Sequence, residues 1–184
     1  MKLNFELEDD LWWKANTAFA SWEGFQSRRG AYGAEDSVSP SDGSVRLVFA
    51  PEGRGTEPIS SDEAVLIEWF LDNESKVSKA LLSSLLKIYP SLQMQYGYSE
   101  QERREFMPDV ASENDFRDLI GLHTVFVHPL DKYDGVPYVG YEFGCTWDPE
   151  HGMGVLMHGE RMVECGGADT AFLKWIAEKD AEKP

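Results

Sequence analysis

The densest concentration of reactive side chains is Asp148-Pro149-Glu150-His151-Gly152, flanked by Cys145 and His158. Asp, Glu and His within one short turn can reach a common point. There they could bind a metal ion or supply a general acid and base. The candidate catalytic residues are therefore Asp148, Glu150, His151 and His158, and the candidate metal ligands are Asp148, Glu150 and His151. The same five residues also make a hairpin loop: Asp148 bonds to backbone, Pro149 fixes φ and Gly152 supplies a positive φ. No C-x-x-C or H-x-x-x-H spacing supports a closed metal site, so no metal and no cofactor is expected.

Cys145 could be a nucleophile with His151 or His158, yet it alternates in phase with Phe143 and Trp147, the position of a small buried hydrophobe. His123 and His128 lie an odd number of residues apart on one expected strand, which places them on opposite faces. Gly30, Gly33, Gly53 and Gly55 form no phosphate-binding loop. Arg28-Arg29 and Arg103-Arg104 are basic pairs in an acidic chain and read as solvated charge.

These residues must be positioned by elements. Leu3, Phe5 and Leu7 alternate as in a short strand, and Val45–Phe49 reads as another. Between them the segment ANTAFASWEGF has no clear period. Asp42-Gly43 suggests a hairpin turn and 50–58 a loop. Ser60 to Glu63 resembles a capping box ahead of Leu66, Ile67, Phe70 and Leu71. Asn73 is expected to break that helix. A second helix through Val77, Leu81, Leu85 and Tyr89 should stop before Pro90, making an αα-hairpin. Shorter helical pieces follow over 99–119.

The last third predicts a four-strand antiparallel meander: 120–128, then 138–147 after Asp134-Gly135, then 153–158 and 161–165, followed by a helix over 168–181. Phe126, Tyr141 and Phe143 are expected to share the helix-facing side, with Met157 beside Phe143. His123, Glu142 and His158 are expected on the other side. The fold class is α+β: a helical middle packed on a C-terminal meander of about four strands, with further N-terminal strands and a C-terminal helix, in a single domain over 1–184.

The 184 residues carry 17 basic and 33 acidic side chains, a net charge of −16. That balance argues against nucleic acid and against an anionic membrane surface as partners, and favours a basic protein. Two cysteines make no disulfide framework. The N-terminus lacks a signal-peptide pattern, and a cytoplasmic monomer or dimer is the expectation.

The segment YVGYEFGCTWDPEHGMGVLMHG, residues 138–159, resembles an uncharacterised bacterial family, one of the domains of unknown function. The likeness extends through Gly166 and to the helix after Ser60. It implies a bacterial cytoplasmic protein and carries over no activity. Size and acidity also resemble those of immunity proteins, which neutralise toxins of competing bacteria. The leading expectation is a non-enzymatic interaction module, an immunity-type inhibitor of a basic partner. A small, metal-assisted hydrolase at the Asp148–His151 turn and a small-molecule binding domain stand beside it.

Overall fold

Alternating apolar residues in the first fifty positions build one antiparallel half of a sheet. The computed structural model describes residues 3–37 and 39–183. Strand β1 (Glu6–Glu8) pairs with β2 (Trp12–Glu23), and β2 pairs with β5 (Asp42–Phe49). The segment without a clear period is β2 itself. A register shift between Ala18 and Glu23 interrupts its alternation, so Ala15, Phe19 and Trp22 are buried without a strict two-residue repeat. Asp42-Gly43 does not form a hairpin turn. Asp42 opens β5 opposite Glu23, and the chain between β2 and β5 makes an excursion through a small hairpin, β3 (Ser27–Arg29) and β4 (Glu35–Ser37). Gly43 has φ +81°, and a Cβ there would lie 2.5 Å from the Phe19 carbonyl oxygen.

The middle of the chain is one helix rather than two. α1 (Ser61–Tyr96) runs 36 residues from a complete Ser60–Glu63 capping box to Gly97 at φ 62°. Asn73 does not break it, because its side-chain amide donates to the Trp69 carbonyl one turn back (2.8 Å) and stays on the helix. Pro90 does not end it, so no αα-hairpin forms. Pro90 is exposed, while neighbouring Tyr89 is buried against Phe116 and Trp147. Tertiary packing on both sides of the proline outweighs its local cost. The buried positions Ile67, Phe70, Val77, Leu81, Leu85 and Tyr89 follow helical spacing. α2 (Glu100–Phe106) and a 3-10 turn over Glu113–Asp118 lead back to the sheet.

The meander forms as expected. β6 (Ile120–Asp131), β7 (Pro137–Cys145), β8 (Met153–His158) and β9 (Arg161–Gly166) are successive antiparallel neighbours. It joins the first half through a parallel pairing of β5 with β6, giving a seven-stranded mixed sheet in the order β1-β2-β5-β6-β7-β8-β9. The C-terminal helix is split: a 3-10 turn over Ala168–Ala171 precedes α3 (Lys174–Ala181), with Ile176 buried and Trp175 exposed.

α1 covers one face of the sheet. Trp22, Phe70, Tyr141 and Phe143 meet there, with Trp22 and Phe143 ring centroids 5.2 Å apart. Phe126 is not among them. It lies opposite Gly140, whereas Val125 lies opposite Tyr141, so Phe126 faces the other side. Irregularities at Leu122/Thr124 and Val127/Asp131 defeat simple counting back from the turn. Met153, not Met157, lies opposite Phe143, while Met157 pairs with Val139 and still joins the helix-side core.

The second face is covered too. β7 is buried along its whole length. Glycines make this possible by letting backbone lie directly on the sheet. A Cβ on Gly140 would collide with the Ala171 carbonyl, and one on Gly154 would come 2.5 Å from the Gly167 oxygen. On the other flank, a Cβ on Gly121 would come 2.5 Å from the Gln26 oxygen, and one on Gly144 would collide with Gly33 and Arg28. Two chain segments thus lie on this face and leave an opening between them.

Candidate functional site

The Asp148–Gly152 turn is a well-bonded loop. Asp148 Oδ1 accepts from the His151 backbone N–H (3.1 Å) and contacts the His151 ring at Nδ1 (2.9 Å). The Tyr96 hydroxyl donates to the other oxygen at 3.4 Å. Asp148 and His151 are therefore brought together, but the His151 side chain is 74% exposed and Glu150 is exposed as well. His158 sits at the opposite end of β8, bonded to the Val136 carbonyl (3.1 Å) and stacked on Tyr138. It does not join the turn. Among the described residues, no group of three or more His, Cys, Asp and Glu side chains is placed to hold a metal ion. Burial pushes the Cys145 thiol up to about 12, and its sulfur donates to the Asp148 carbonyl (3.7 Å). A protonated thiol in a core is a packing group rather than a nucleophile. Cys145 and Cys165 are both free thiols.

The more convergent set of groups lies in the opening on the second face of the sheet. Arg46, Thr124 and Glu142 are direct cross-strand neighbours on β5, β6 and β7, forming a polar row. The next row is Val48, Phe126 and Gly140. β6 carries an extra residue between Leu122, opposite Phe143, and Thr124, opposite Glu142. That bulge turns His123 onto the same side as Thr124, and His128, four residues beyond Thr124, is on that side too. The parity argument that separated the two histidines fails at this extra residue.

These rows floor a pocket of about 390 Å³, walled by Trp12, Tyr32, Pro51 and Phe172. Phe172 packs edge-on against Phe126 with centroids 5.6 Å apart. Glu142 is 5% exposed. Its Oε2 accepts from His123 Nδ1 at 3.2 Å, and the Thr124 hydroxyl also contacts that nitrogen at 3.1 Å. An ionised carboxylate can only accept, so Nδ1 donates the hydrogen bond to Glu142. Arg46 is held away from Glu142. Its guanidinium bonds to Glu8, which Lys14 also grips, and lies 5.0 Å from the Trp12 ring centroid. The hydrogen bond from Lys14, with the positive charges of Arg46 and Lys14, lowers the Glu8 carboxyl below its usual value.

A shallower groove of about 690 Å³ lies where the start of α1, the β6–β7 turn and α3 meet. Asp62, Glu63, Asp131, Glu178 and Glu182 line it beside the fully exposed ring of Tyr133.

Sequence reasoning placed His123 and Glu142 on one face but missed the pocket around them. The readable signal was the run of glycines at 140, 144 and 154 on alternating positions, which marks a face where backbone rather than side chains packs.

No helix among the described residues is long and apolar enough to cross a membrane. Neither the curated proteins nor the solved structures contain a match to the chain. One family model does match, over residues 30–173, a span that holds every residue lining the pocket except Trp12. That span is most of the chain, and the chain therefore belongs to the family described as Domain of unknown function (DUF6985).

Proposed function

We propose that the chain is a non-enzymatic binding module whose sheet-face pocket holds a small ligand with an apolar body. The observation that carries this reading is the nearly buried Glu142 carboxylate in a pocket otherwise walled mainly by Trp12, Val48, Phe126 and Phe172. A few convergent polar groups within an apolar concavity of this size are the usual composition of a ligand site. The test is a thermal-shift screen of small organic compounds, with hits mapped by chemical-shift changes. Hits perturbing Phe126, Phe172 and His123 support the reading. A screen whose hits all map elsewhere overturns it.

A second reading rests on the acidic groove. Its five carboxylates and the exposed Tyr133 fit an immunity-type inhibitor that captures a basic partner. An oligolysine peptide serves as probe. Reversing Asp131, Glu178 and Glu182 to Lys should slow its association at low salt and matter little at high salt. An association rate that ignores both charge and salt would sink this reading.

A further inference from the structure

We infer that the ligand of the sheet-face pocket is an organic cation, a primary ammonium carried on an aromatic or aliphatic body. This rests on the binding reading above and names the chemistry of its ligand. The two charged residues lining the pocket are unequal. Arg46 is already matched, because its guanidinium is bonded to Glu8 and lies over Trp12. Glu142 has no permanently charged partner among the described residues. Among the described residues, its one ion-pair contact is the imidazole of His123, and no Lys or Arg reaches it. Its side chain is 7% exposed, its Oε2 is bonded to His123, and among the described residues no hydrogen bond reaches its Oε1. A carboxylate withdrawn from water needs a compensating charge and donors for its free lone pairs. An ammonium group supplies both.

Two acceptors line the pocket beside His123 Nδ1: the Glu142 carboxylate and the Thr124 hydroxyl. A primary ammonium has three donors, enough for both of them. Trp12, Tyr32, Phe126 and Phe172 surround the remaining space, and aromatic rings attract cations to their faces. The net charge of −16 draws cations toward the protein. One feature favours the opposite charge: Arg46 Nε is buried without a hydrogen-bond partner, and an anion could use it. A series of ligands differing only in charge therefore decides the matter.

The experiment is isothermal titration of the full chain with phenethylammonium, with phenethyl alcohol as its neutral counterpart and with hydrocinnamate as its anionic one. The ammonium compound should bind at least about tenfold more tightly than either, as expected for a gained charge-assisted hydrogen bond. Glu142→Gln should weaken ammonium binding roughly 10- to 100-fold and weaken the alcohol much less. Should that variant fail to fold, the side-chain carboxyl carbon of Glu142 in the unaltered protein gives a second readout, and it should shift on adding the ammonium compound. Tightest binding by hydrocinnamate, a cation preference that survives Glu142→Gln, or a carboxyl resonance that does not move would overturn the inference. If the ammonium compound does not bind while a neutral screening hit occupies the pocket, the inference falls and the binding function stands. If nothing of any charge enters the pocket, both fall.

Discussion

Glu74 lies on the buried side of α1, 6% exposed, at the centre of a small polar network. Its two oxygens accept from the hydroxyls of Ser78 (2.6 Å) and Ser21 (3.1 Å), and Ser78 in turn accepts from the Trp22 indole N–H (3.0 Å). Burial raises its carboxyl above the usual value. A carboxyl with a raised folded-state pKa stabilises the fold when protonated, and that contribution is lost as pH rises. Glu74→Gln keeps the shape and removes the buried charge. It should raise the melting temperature at pH 7 and change it little at pH 4; a lower melting temperature at pH 7 would show that the charge itself is needed. His128 shows the converse case. Its ring is fully buried, Nε2 donates to the Ala171 carbonyl at 3.0 Å, and burial lowers its pKa from 6.5 to about 4. Below pH 6.5 the unfolded chain takes up a proton that the folded chain refuses. Stability should therefore decline as pH falls from 6.5 toward 4, and part of that decline should vanish in His128→Phe. A ring resonance titrating near 6.5 in the native protein would contradict this. In the sequence, His123 and Glu142 could be read as neighbours on one face, but the burial of Glu142 could not. It depends on segments around Gly33 and Ala171 that reach the sheet from distant parts of the chain.

At the scale of elements, close backbone contact holds the C-terminal segment to the sheet. A Cβ on Gly140 would strike the Ala171 carbonyl, which is backbone and also the acceptor for His128. Gly140→Ala should therefore cost about 1–3 kcal/mol, as overpacking usually does. It should also raise the His128 pKa toward its ordinary value as the ring gains water. Chemical denaturation and a histidine titration check the two halves, and an unchanged His128 with full stability would show that the segment moves aside freely. The four meander strands were legible because Asp134-Gly135, Asp148 to Gly152 and Gly159-Glu160 are strong turn signals between alternating runs. α1 was legible at its start through the capping box and at its buried positions through their spacing. Its continuity was not, since Asn73 and Pro90 are local breakers overruled by packing of Trp69, Tyr89 and their neighbours. The bulge at His123 was hidden for a related reason: an extra residue in a strand leaves no composition of its own.

At the scale of the whole molecule, the parallel pairing that joins the two halves of the sheet could not be read at all. Arg46, Leu47, Val48 and Phe49 meet Thr124, Val125, Phe126 and Val127. Those partners are separated in sequence by the loop, α1, α2 and the 3-10 turn, and neither run names the other. Each half can form from contacts close in sequence, whereas the join needs a long crossover. The sheet-face pocket straddles this join, with Arg46 and Val48 on one side and Thr124 and Phe126 on the other. A bound ligand is thus a rivet between two halves that would otherwise come apart along their least local seam. The amides of Leu47, Val48 and Val125 report on that opening. Saturating ligand at a hundred times its dissociation constant should slow their exchange by roughly a hundredfold if separation of the halves abolishes binding. The amides of β8 and β9, which lie beyond the seam, should gain little. Equal slowing in β9 would mean that the sheet opens only as one body, and slowing in neither would mean that the ligand grips one half alone.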